Sequence, residues 1–339
     1  MNKNNLPDIQ TGLTGSEKKL KLRQNDLPAA IQQNGPASAF AYEEFLFGKI
    51  RNKNTRRAYQ HAVRRFLDWI LENQISLTQV TPRNVGDYLE GLEISIPSKK
   101  LHRAGLNHFF DIQVQRHAVI LNPVSSVRNE RYQISEGKTP EITVKQAKKL
   151  FSSIDTSKIT GLRDRAIIAV LAYSGARIGA IAKLKRRHLS FEGDQWVISF
   201  NDKGGKHRKV PVRHDLQNML FDYLDPAGIT ELEKNLPLFR TSKGKTLKLS
   251  ENAMSDNDMQ RMFKRRLLKA GLPPTLSPHS FRVTTITSLL EQGVSLEDVQ
   301  NLANHSDPRT TRLYDRRKRK ITRNIVERIP VYEEEIDQG

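Results

Sequence analysis

The sequence of 339 residues contains no cysteine. Disulfide bonds, thiolate zinc sites and thiol nucleophiles are therefore excluded, because each needs a cysteine sulfur. Long apolar runs are also lacking: the longest, AIIAVLAY at residues 166–173, is far shorter than the roughly 20 residues of a membrane-spanning helix. The first residues, MNKNNLPDIQTGLTG, lack the apolar core of a secretory signal. We therefore expect a cytoplasmic protein without a membrane segment.

Acidic residues are few compared with basic ones. The chain has 56 Lys and Arg against 37 Asp and Glu, which gives a formal net charge of +19. A surplus of this size indicates a polyanionic partner, and nucleic acid is the commonest one. The sequence also lacks carboxylates spaced to hold two divalent cations, so we expect neither a metal site nor a cofactor.

Apolar periodicity and polar stretches divide the chain into five segments. They are a disordered polar tail (1–35), a helical domain (36–127), a polar linker (128–140), a second domain (141–330) and an acidic C-terminal tail (331–339). The helical period is clearest in the first domain, where apolar residues recur at three- and four-residue steps at Tyr59, Val63, Phe66 and Ile70.

The second domain combines helices with one hairpin. Thr143 and Gln146 have the spacing of a capping box, and an apolar helix over 162–173 is expected to end at Ser174-Gly175. The period then changes from 3.6 to 2 in WVISF and in KVPV, with DKGGKH as the turn between them. We therefore predict a mostly α fold with a small β-hairpin or sheet, of the α+β class.

Three polar features of this domain stand out. In SPHSFR, His279 and Arg282 share one face near a helix N-terminus, where backbone N–H groups attract an anion. Arg177 follows a helix stop between apolar neighbours, although a structural ion pair is an equal alternative. Lys203 lies in a glycine-rich turn that would allow close approach to a ligand, although a lysine in a turn is usually only solvated.

A fourth feature is HSDPRTTRLYDRR, in which Tyr314 lies nine residues after His305. Taken alone, this tyrosine is better interpreted as a packing residue on a basic helix, because short motifs have high false-positive rates. Its interpretation therefore depends on the other three features.

Together, these features have the order and spacing of one known family. The sequence resembles the tyrosine recombinase (phage integrase) family over the whole of residues 140–330. The positions that carry the resemblance are Arg177, Lys203, His279, Arg282, His305 and Tyr314. The helical domain before them looks like the family's core-binding (SAM-like) domain, and the second domain looks like its mixed α/β catalytic domain.

Two positions depart from the family pattern. Most members have an acidic residue three places after the first arginine, where this chain has Ala180, so Arg177 must be supported from elsewhere. The usual glycine before the late histidine is Asn304 here. Asparagine is the non-glycine residue that best tolerates the left-handed conformation, so we expect the turn to be retained.

The residue types suit attack on a phosphodiester. The transition state carries additional charge on the non-bridging oxygens, and Arg177 and Arg282 could each bind these oxygens with a planar fork of donors. His305 would donate a further hydrogen bond. Fixed positive side chains would then do the work of a metal ion.

The other three residues would carry out the attack and the proton transfers. Tyr314 would be the nucleophile, but a phenol with a pKa near 10 is a poor one at neutral pH. His279 is suited to manage its proton, and Lys203 would protonate the departing 5′ oxygen. The resulting tyrosyl ester keeps the cut strand attached, so the strand can be rejoined without ATP.

Further basic residues are candidate DNA contacts on two faces that could close on a duplex. They are Arg56, Arg57, Lys99, Lys100, Arg103, Lys206, Arg309, Arg312 and Arg316. We expect about half of them to contact no phosphate, because many surface charges are only solvated.

The resemblance implies a site-specific recombinase that acts through a 3′-phosphotyrosyl intermediate in integration, excision or resolution of DNA. Its partner would be double-stranded DNA with inverted repeats, bound by a tetramer across two sites, with an accessory directionality factor as a further partner of this class. The segment KITRNIVERI would either pass to a neighbouring protomer, as in many members, or dock on its own domain. The alternatives are a type IB topoisomerase-like relaxing enzyme and a non-catalytic DNA-binding regulator.

Overall fold

A computed structural model of the chain describes residues 27–128, 139–201, 207–230, 234–244, 246 and 248–315. The chain divides into two compact units, Met1–Gln133 and Ile134–Gly339, and the division falls within the segment 128–140. None of the described helices is both long enough and apolar enough to cross a membrane.

The regular elements described in the first unit are all helices or helical turns. Its elements are α1 (Ala29–Gln33), α2 (Pro36–Glu43), a π-helical turn (Glu44–Lys49), α3 (Lys53–Glu72), a 3-10 turn (Leu77–Gln79), α4 (Pro82–Glu90) and α5 (Ile96–Gln115). The apolar stripe of α3 packs on α5, with Phe66 and Phe110 fully buried. The ring of Phe66 also meets Tyr88 edge-on, with 5.0 Å between centroids.

The predicted tail extends too far into this unit. Residues 29–33 form α1, which packs near α3, and Ile31 is fully buried. The sequence AAIQQ is too short to show a helical period, which is why the prediction placed the domain boundary at residue 35.

The second unit is also mainly helical. Its helices are α6 (Val144–Ser152), α7 (Ile159–Ser174), α8 (Ile178–Ile181), α9 (His214–Leu224), α10 (Asp256–Lys269), α11 (Pro278–Glu291), α12 (Leu296–Ala303) and α13 (Pro308–Arg312). Residues 166–171 of α7 are all buried, because α9 and α11 both pack against this helix. The predicted capping box at Thr143 and Gln146 and the predicted end of α7 at Gly175, with φ +57°, are both confirmed.

Two small antiparallel sheets complete this unit. One is three-stranded, in the order β1 (Leu189–Glu192), β2 (Gln195–Asn201) and β3 (His207–Pro211), and the other pairs β4 (Arg240–Ser242) with β5 (Leu249–Ala253). The predicted hairpin is β2–β3, with Ile198 opposite Val210. Strands β1, β4 and β5 were not predicted, because β1 and β4 have only four and three residues and the sequence LSENA of β5 does not alternate apolar with polar residues. The predicted fold class is confirmed.

The start of α7 is fixed by a buried ion network. The Asp164 carboxylate accepts from Arg163 at 2.8 Å and from Arg266 of α10 at 2.7 Å. Arg163 also donates to the carbonyl of Arg240 at the start of β4, at 2.9 Å. Because both oxygens of this buried carboxylate accept from guanidinium groups, α7 is tied to α10, and Arg163 ties it to the second sheet.

Candidate active site

Arg177 stands directly after the end of α7. Gly175 takes the left-handed conformation that ends the helix, and Arg177 is the extended residue that precedes α8. Its side chain is exposed, and among the described residues no carboxylate forms an ion pair with it. Ala180, which replaces the family's acidic residue, packs against the apolar core instead. The support for Arg177 that the structure describes is therefore its backbone position between α7 and α8.

Arg282 lies on α11 and is almost completely buried, with 1% of its surface exposed. Its Nη1 donates to the carbonyl of Gly175 at 2.6 Å, and its Nη2 donates to the carbonyl of Ala303. The first turn of α11 is capped by the hydroxyl of Ser280, which accepts from the backbone N–H of Ser277 at 3.0 Å. The guanidinium thus joins the C-terminal ends of α7 and α12.

His305 follows α12 after one left-handed residue. That residue is Asn304, with φ +49°, so the predicted tolerance of asparagine at this turn is confirmed. His305 is 6% exposed, its backbone N–H donates to the carbonyl of Gln300, and its Nδ1 lies 2.8 Å from the hydroxyl of Thr311. Since Nδ1 is engaged by Thr311, Nε2 is the ring atom left for a ligand.

Burial, and after it the positive charges of Arg282 and Arg177, lower the pKa of His305 to about 3. The ring is therefore neutral at neutral pH. A neutral imidazole whose Nδ1 accepts from the Thr311 hydroxyl carries its proton on Nε2. In that tautomer His305 can donate a hydrogen bond without adding charge to the site.

Tyr314 and His279 meet at the rim of the site. The Tyr314 hydroxyl lies 3.3 Å from His279 Nε2, and the Tyr314 ring stacks on His305 with 6.0 Å between centroids. Desolvation, and then the charges of Arg282 and Arg177, hold the pKa of His279 below its ordinary value. His279 is therefore mainly neutral at neutral pH, and a neutral imidazole can accept a proton from a phenol.

A depression of about 240 Å³ lies beside these groups. Its lining includes Arg177, Ile178, Gln260, Pro278 and His279. The space has the positive side chain of Arg177 on one side and the N-terminal end of α11 on the other, a setting that favours an anion.

Arg177, His279, Arg282, His305 and Tyr314 therefore come together, from segments up to 137 positions apart in the chain. The sixth predicted residue, Lys203, lies outside the described residues, as do Lys206 and Arg316. Gln260 and Thr311 were missed by sequence reasoning. Neither belongs to a motif, and their contribution depends on contacts that the sequence does not display.

The residues predicted to contact DNA differ in their exposure and in the partners of their side chains. Arg57 and Arg312 are exposed, and Arg309 pairs with Asp307 at 2.8 Å. Arg56 donates to the carbonyl of Ile50 at 2.7 Å, and Arg103 donates to that of Val127 at 2.6 Å.

Lys99 and Lys100 line a shallow depression together with Arg103. Lys99 also donates to the carbonyl of Glu90 at 3.2 Å. Arg56, Lys99 and Arg103 already donate to backbone carbonyls and therefore have a structural role. The set of DNA-contacting residues stays a prediction.

Comparison with known proteins agrees with this geometry. A sequence profile described as "Phage integrase family" matches residues 140–320, and one described as "Phage integrase, N-terminal SAM-like domain" matches residues 41–117. The chain belongs to the phage integrase family. It is thus a tyrosine recombinase, a member of a class of enzymes that transfer DNA strands.

Two other tyrosine recombinases are similar to this recombinase in sequence. Tyrosine recombinase XerC of Chlamydia muridarum is 30% identical over 257 residues, which cover 75% of this chain and 78% of the relative. Tyrosine recombinase XerD of Staphylococcus aureus is 27% identical over 286 residues, which cover 80% of this chain and 92% of the relative.

Solved structures share the fold of this recombinase. A lambda integrase dimer bound to a COC′ core site superposes with a TM-score of 0.62 at 18% identity, covering 83% of this chain and 77% of that one. The XerH recombinase bound to palindromic difH substrate superposes with a TM-score of 0.63 at 17% identity, covering 87% and 84%. At these identities the likeness establishes the fold alone.

Proposed function

We propose that this recombinase cleaves and rejoins DNA strands at specific sites through a 3′-phosphotyrosyl intermediate, with Tyr314 as the nucleophile. The observation that carries the proposal is the Tyr314 hydroxyl, 3.3 Å from a neutral His279 and beside a pocket that contains Arg177. This arrangement supplies an attacking oxygen, a proton acceptor and a positive site for phosphate.

In the cleavage step the Tyr314 oxygen attacks the scissile phosphorus, and its proton passes to His279 Nε2. The bond between phosphorus and the 5′ oxygen breaks, and Lys203 gives that oxygen a proton. The 3′ end stays bound to Tyr314 as an ester. A new 5′ hydroxyl reverses the step without ATP, because the ester conserves the energy of the broken bond.

Charge on the non-bridging oxygens would be met by two donors and one buried positive charge. Arg177 is exposed, and the Nε2 of His305 is left available by the bond of Nδ1 to Thr311. The guanidinium of Arg282 is buried and its Nη atoms donate to carbonyls, so it would contribute its positive charge. Donors that are in place before the reaction need no reorganisation, which is the main source of electrostatic catalysis.

The proposed partner is double-stranded DNA with inverted repeats, bound by four protomers across two sites. In support, the fold matches a lambda integrase tetramer bound to a Holliday junction, with a TM-score of 0.62 at 17% identity. Integration, excision and resolution all use the same chemistry, and an accessory directionality factor would select among them. The segment KITRNIVERI, residues 320–329, which would either pass to a neighbouring protomer or dock on its own domain, lies outside the described residues.

The nucleophile is tested by replacing Tyr314 with phenylalanine. The Tyr314→Phe variant should bind a selected site as tightly as the wild type and form no covalent adduct with a nicked half-site, because only the hydroxyl is removed. Electrophoresis under denaturing conditions measures the adduct. The matched control is Tyr173→Phe, at a partly buried tyrosine that lies under the Arg213 guanidinium, and it should react normally.

Two outcomes would contradict the proposal. Adduct formation by Tyr314→Phe would remove Tyr314 from its role. Relaxation of a supercoiled plasmid without any selected site would favour a type IB topoisomerase-like enzyme instead.

The proposed chemistry relies on side-chain cations rather than a metal ion. Adduct formation should therefore proceed at an undiminished rate in buffer containing EDTA. A rate that collapses in EDTA and returns with added magnesium would contradict this part of the proposal.

A further inference from the structure

Arg208 lies on β3 and makes contacts that no sequence motif indicated. Its Nη1 donates to the carbonyl of Ser174, at 3.2 Å, and to the carbonyl of Leu302. Its guanidinium also lies over the ring of Phe200 on the neighbouring strand, 4.8 Å from the ring centroid. One side chain of the hairpin is thus bonded to two different helices.

Both carbonyls belong to the last residues of helices. Ser174 ends α7, and Leu302 is in the last turn of α12. Carbonyl groups in the last turn of a helix have no intrahelical partner, and they carry the partial negative charge of the helix dipole. A guanidinium between two such ends satisfies both and reduces the repulsion between them.

Arg282 joins the same two helices one residue further on. It donates to the carbonyls of Gly175 and Ala303, which directly follow the pair bound by Arg208. Two arginines, one from the hairpin and one from α11, therefore bridge the C-terminal ends of α7 and α12 in parallel.

The chain leaves these helix ends toward the candidate active site. Arg177 is two residues after Gly175, and His305 is two residues after Ala303. The distance between the helix ends therefore sets the distance between Arg177 and His305. Misplacement of a reacting group by about 1 Å can cost roughly 100-fold in rate.

We propose that Arg208 is a positioning residue, which holds the ends of α7 and α12 together so that Arg177 and His305 act on one phosphate. Arg208 is partly buried, and its donor Nη1 is already occupied by carbonyls. A direct contact with DNA is for this reason the less favoured role. The expected effect of Arg208 on the reaction rate rests on the proposed function. Its expected effect on the ends of α7 and α12 does not.

The test compares three variants of the full chain. Arg208→Ala removes the bridge. Arg208→Lys keeps the charge, but its side chain is one atom shorter than the one whose Nη1 reaches both carbonyls, and it lacks the planar group that lies over Phe200. Lys209→Ala is the matched control, because Lys209 is the next residue on β3 and its exposed ammonium pairs with Glu192 at 2.7 Å.

The first readout needs no DNA. The ring of His305 is titrated by NMR, with the His305→Gln spectrum used for assignment. Without the bridge, His305 should move away from Arg282 and Arg177 and gain solvent, so its pKa should rise toward 6.5 in both Arg208 variants. It should not change in Lys209→Ala. If the pKa of His305 rises in Arg208→Ala but not in Arg208→Lys, the rise is caused by the lost charge, and the proposal is overturned.

The second readout is catalytic. A DNA duplex that binds the protein tightly is first selected from a random-sequence pool. A series of substrates is then made from it, each with a nick at a different position. The rate constant of adduct formation is measured in single-turnover reactions at saturating protein. Arg208→Ala should lower the rate constant by about 100-fold with little change in the Kd for DNA. Arg208→Lys should be intermediate, and Lys209→Ala should equal the wild type.

Two results would overturn the proposal here. A weaker Kd and a reduced salt dependence of binding would make Arg208 a phosphate contact. A lower melting temperature with an unchanged rate constant per folded molecule would make it a merely structural residue. If the wild type itself forms no adduct, the proposed function fails, and the titration of His305 still decides whether Arg208 holds the two helix ends.

Discussion

Individual side chains of the candidate site are held in a defined protonation state. The rings of His305 and His279 both lie near Arg177 and Arg282, and their pKa values are lowered by desolvation first and by these charges second. The proposed chemistry needs a neutral His279, because this ring must accept a proton, and a neutral His305 can still donate a hydrogen bond from one ring nitrogen.

The lowered pKa of His305 predicts a pH dependence of stability. Its folded-state value of about 3 lies below the ordinary 6.5, so the unfolded chain binds the additional proton between these pH values. The stabilisation is present above pH 6.5 and is lost as the pH falls toward 3. Between pH 7 and pH 5 the loss amounts to about 2 kcal/mol from this group.

Urea denaturation at the two pH values measures this effect. The free energy of unfolding of His305→Gln should change less between pH 7 and pH 5 than that of the wild type, by about 2 kcal/mol. An equal change in both proteins would show that His305 is not held neutral by the fold.

At the scale of elements, the site is built where helices end. The C-terminal ends of α7 and α12 both finish in a left-handed residue, Gly175 and Asn304, and each is followed closely by a predicted catalytic residue. The position of α7 therefore matters for chemistry, and its N-terminal end is where it can be disturbed without touching the site.

Gly161 in the first turn of α7 offers such a test. A Cβ at this position would lie 1.8 Å from the carbonyl oxygen of Asp155, a backbone atom that can move only with its loop. We expect Gly161→Ala to lower the free energy of unfolding by about 3 kcal/mol or more, the upper range for overpacking.

The matched control is Gly86→Ala in α4. A Cβ there meets nothing within 4 Å, so alanine should stabilise this helical position by about 0.5–1 kcal/mol. Thermal denaturation compares the two variants. Equal effects would mean that the loop at Asp155 yields to the new methyl group.

At the scale of the whole molecule, the net charge of +19 dominates. If about half of the nine predicted contacts bind phosphate, the logarithm of the binding constant should fall with the logarithm of salt concentration with a slope of about −4. Electrophoretic mobility or fluorescence anisotropy at several salt concentrations measures it. A flat response would contradict the predicted basic faces.

Two variants refine the test. Arg57→Ala should reduce the slope by about 1, because this guanidinium is exposed. Arg103→Ala is its comparison, since Arg103 donates to the carbonyls of Val124 and Val127. A slope unchanged in Arg103→Ala would remove Arg103 from the predicted contacts.

The sequence by itself determined the fold class, the hairpin, the ends of α7 and α12, and the family. Each of these depends on local signals: a repeated period, a glycine or asparagine at a left-handed turn, or a motif at fixed spacing. The elements α1, β1 and β4 were missed because they are too short to show a period, and β5 was missed because its sequence LSENA does not alternate apolar with polar residues.

Only the tertiary structure decided how these segments work together. The neutrality of His305 depends on burial and on charges as far as 128 positions away in the chain. The bond from its ring to Thr311 and the bridge from Arg208 to two helix ends depend on contacts between residues up to 94 positions apart. Pairwise contacts of this kind leave no pattern in a single sequence, because either partner alone is an ordinary surface residue until the chain has folded around it.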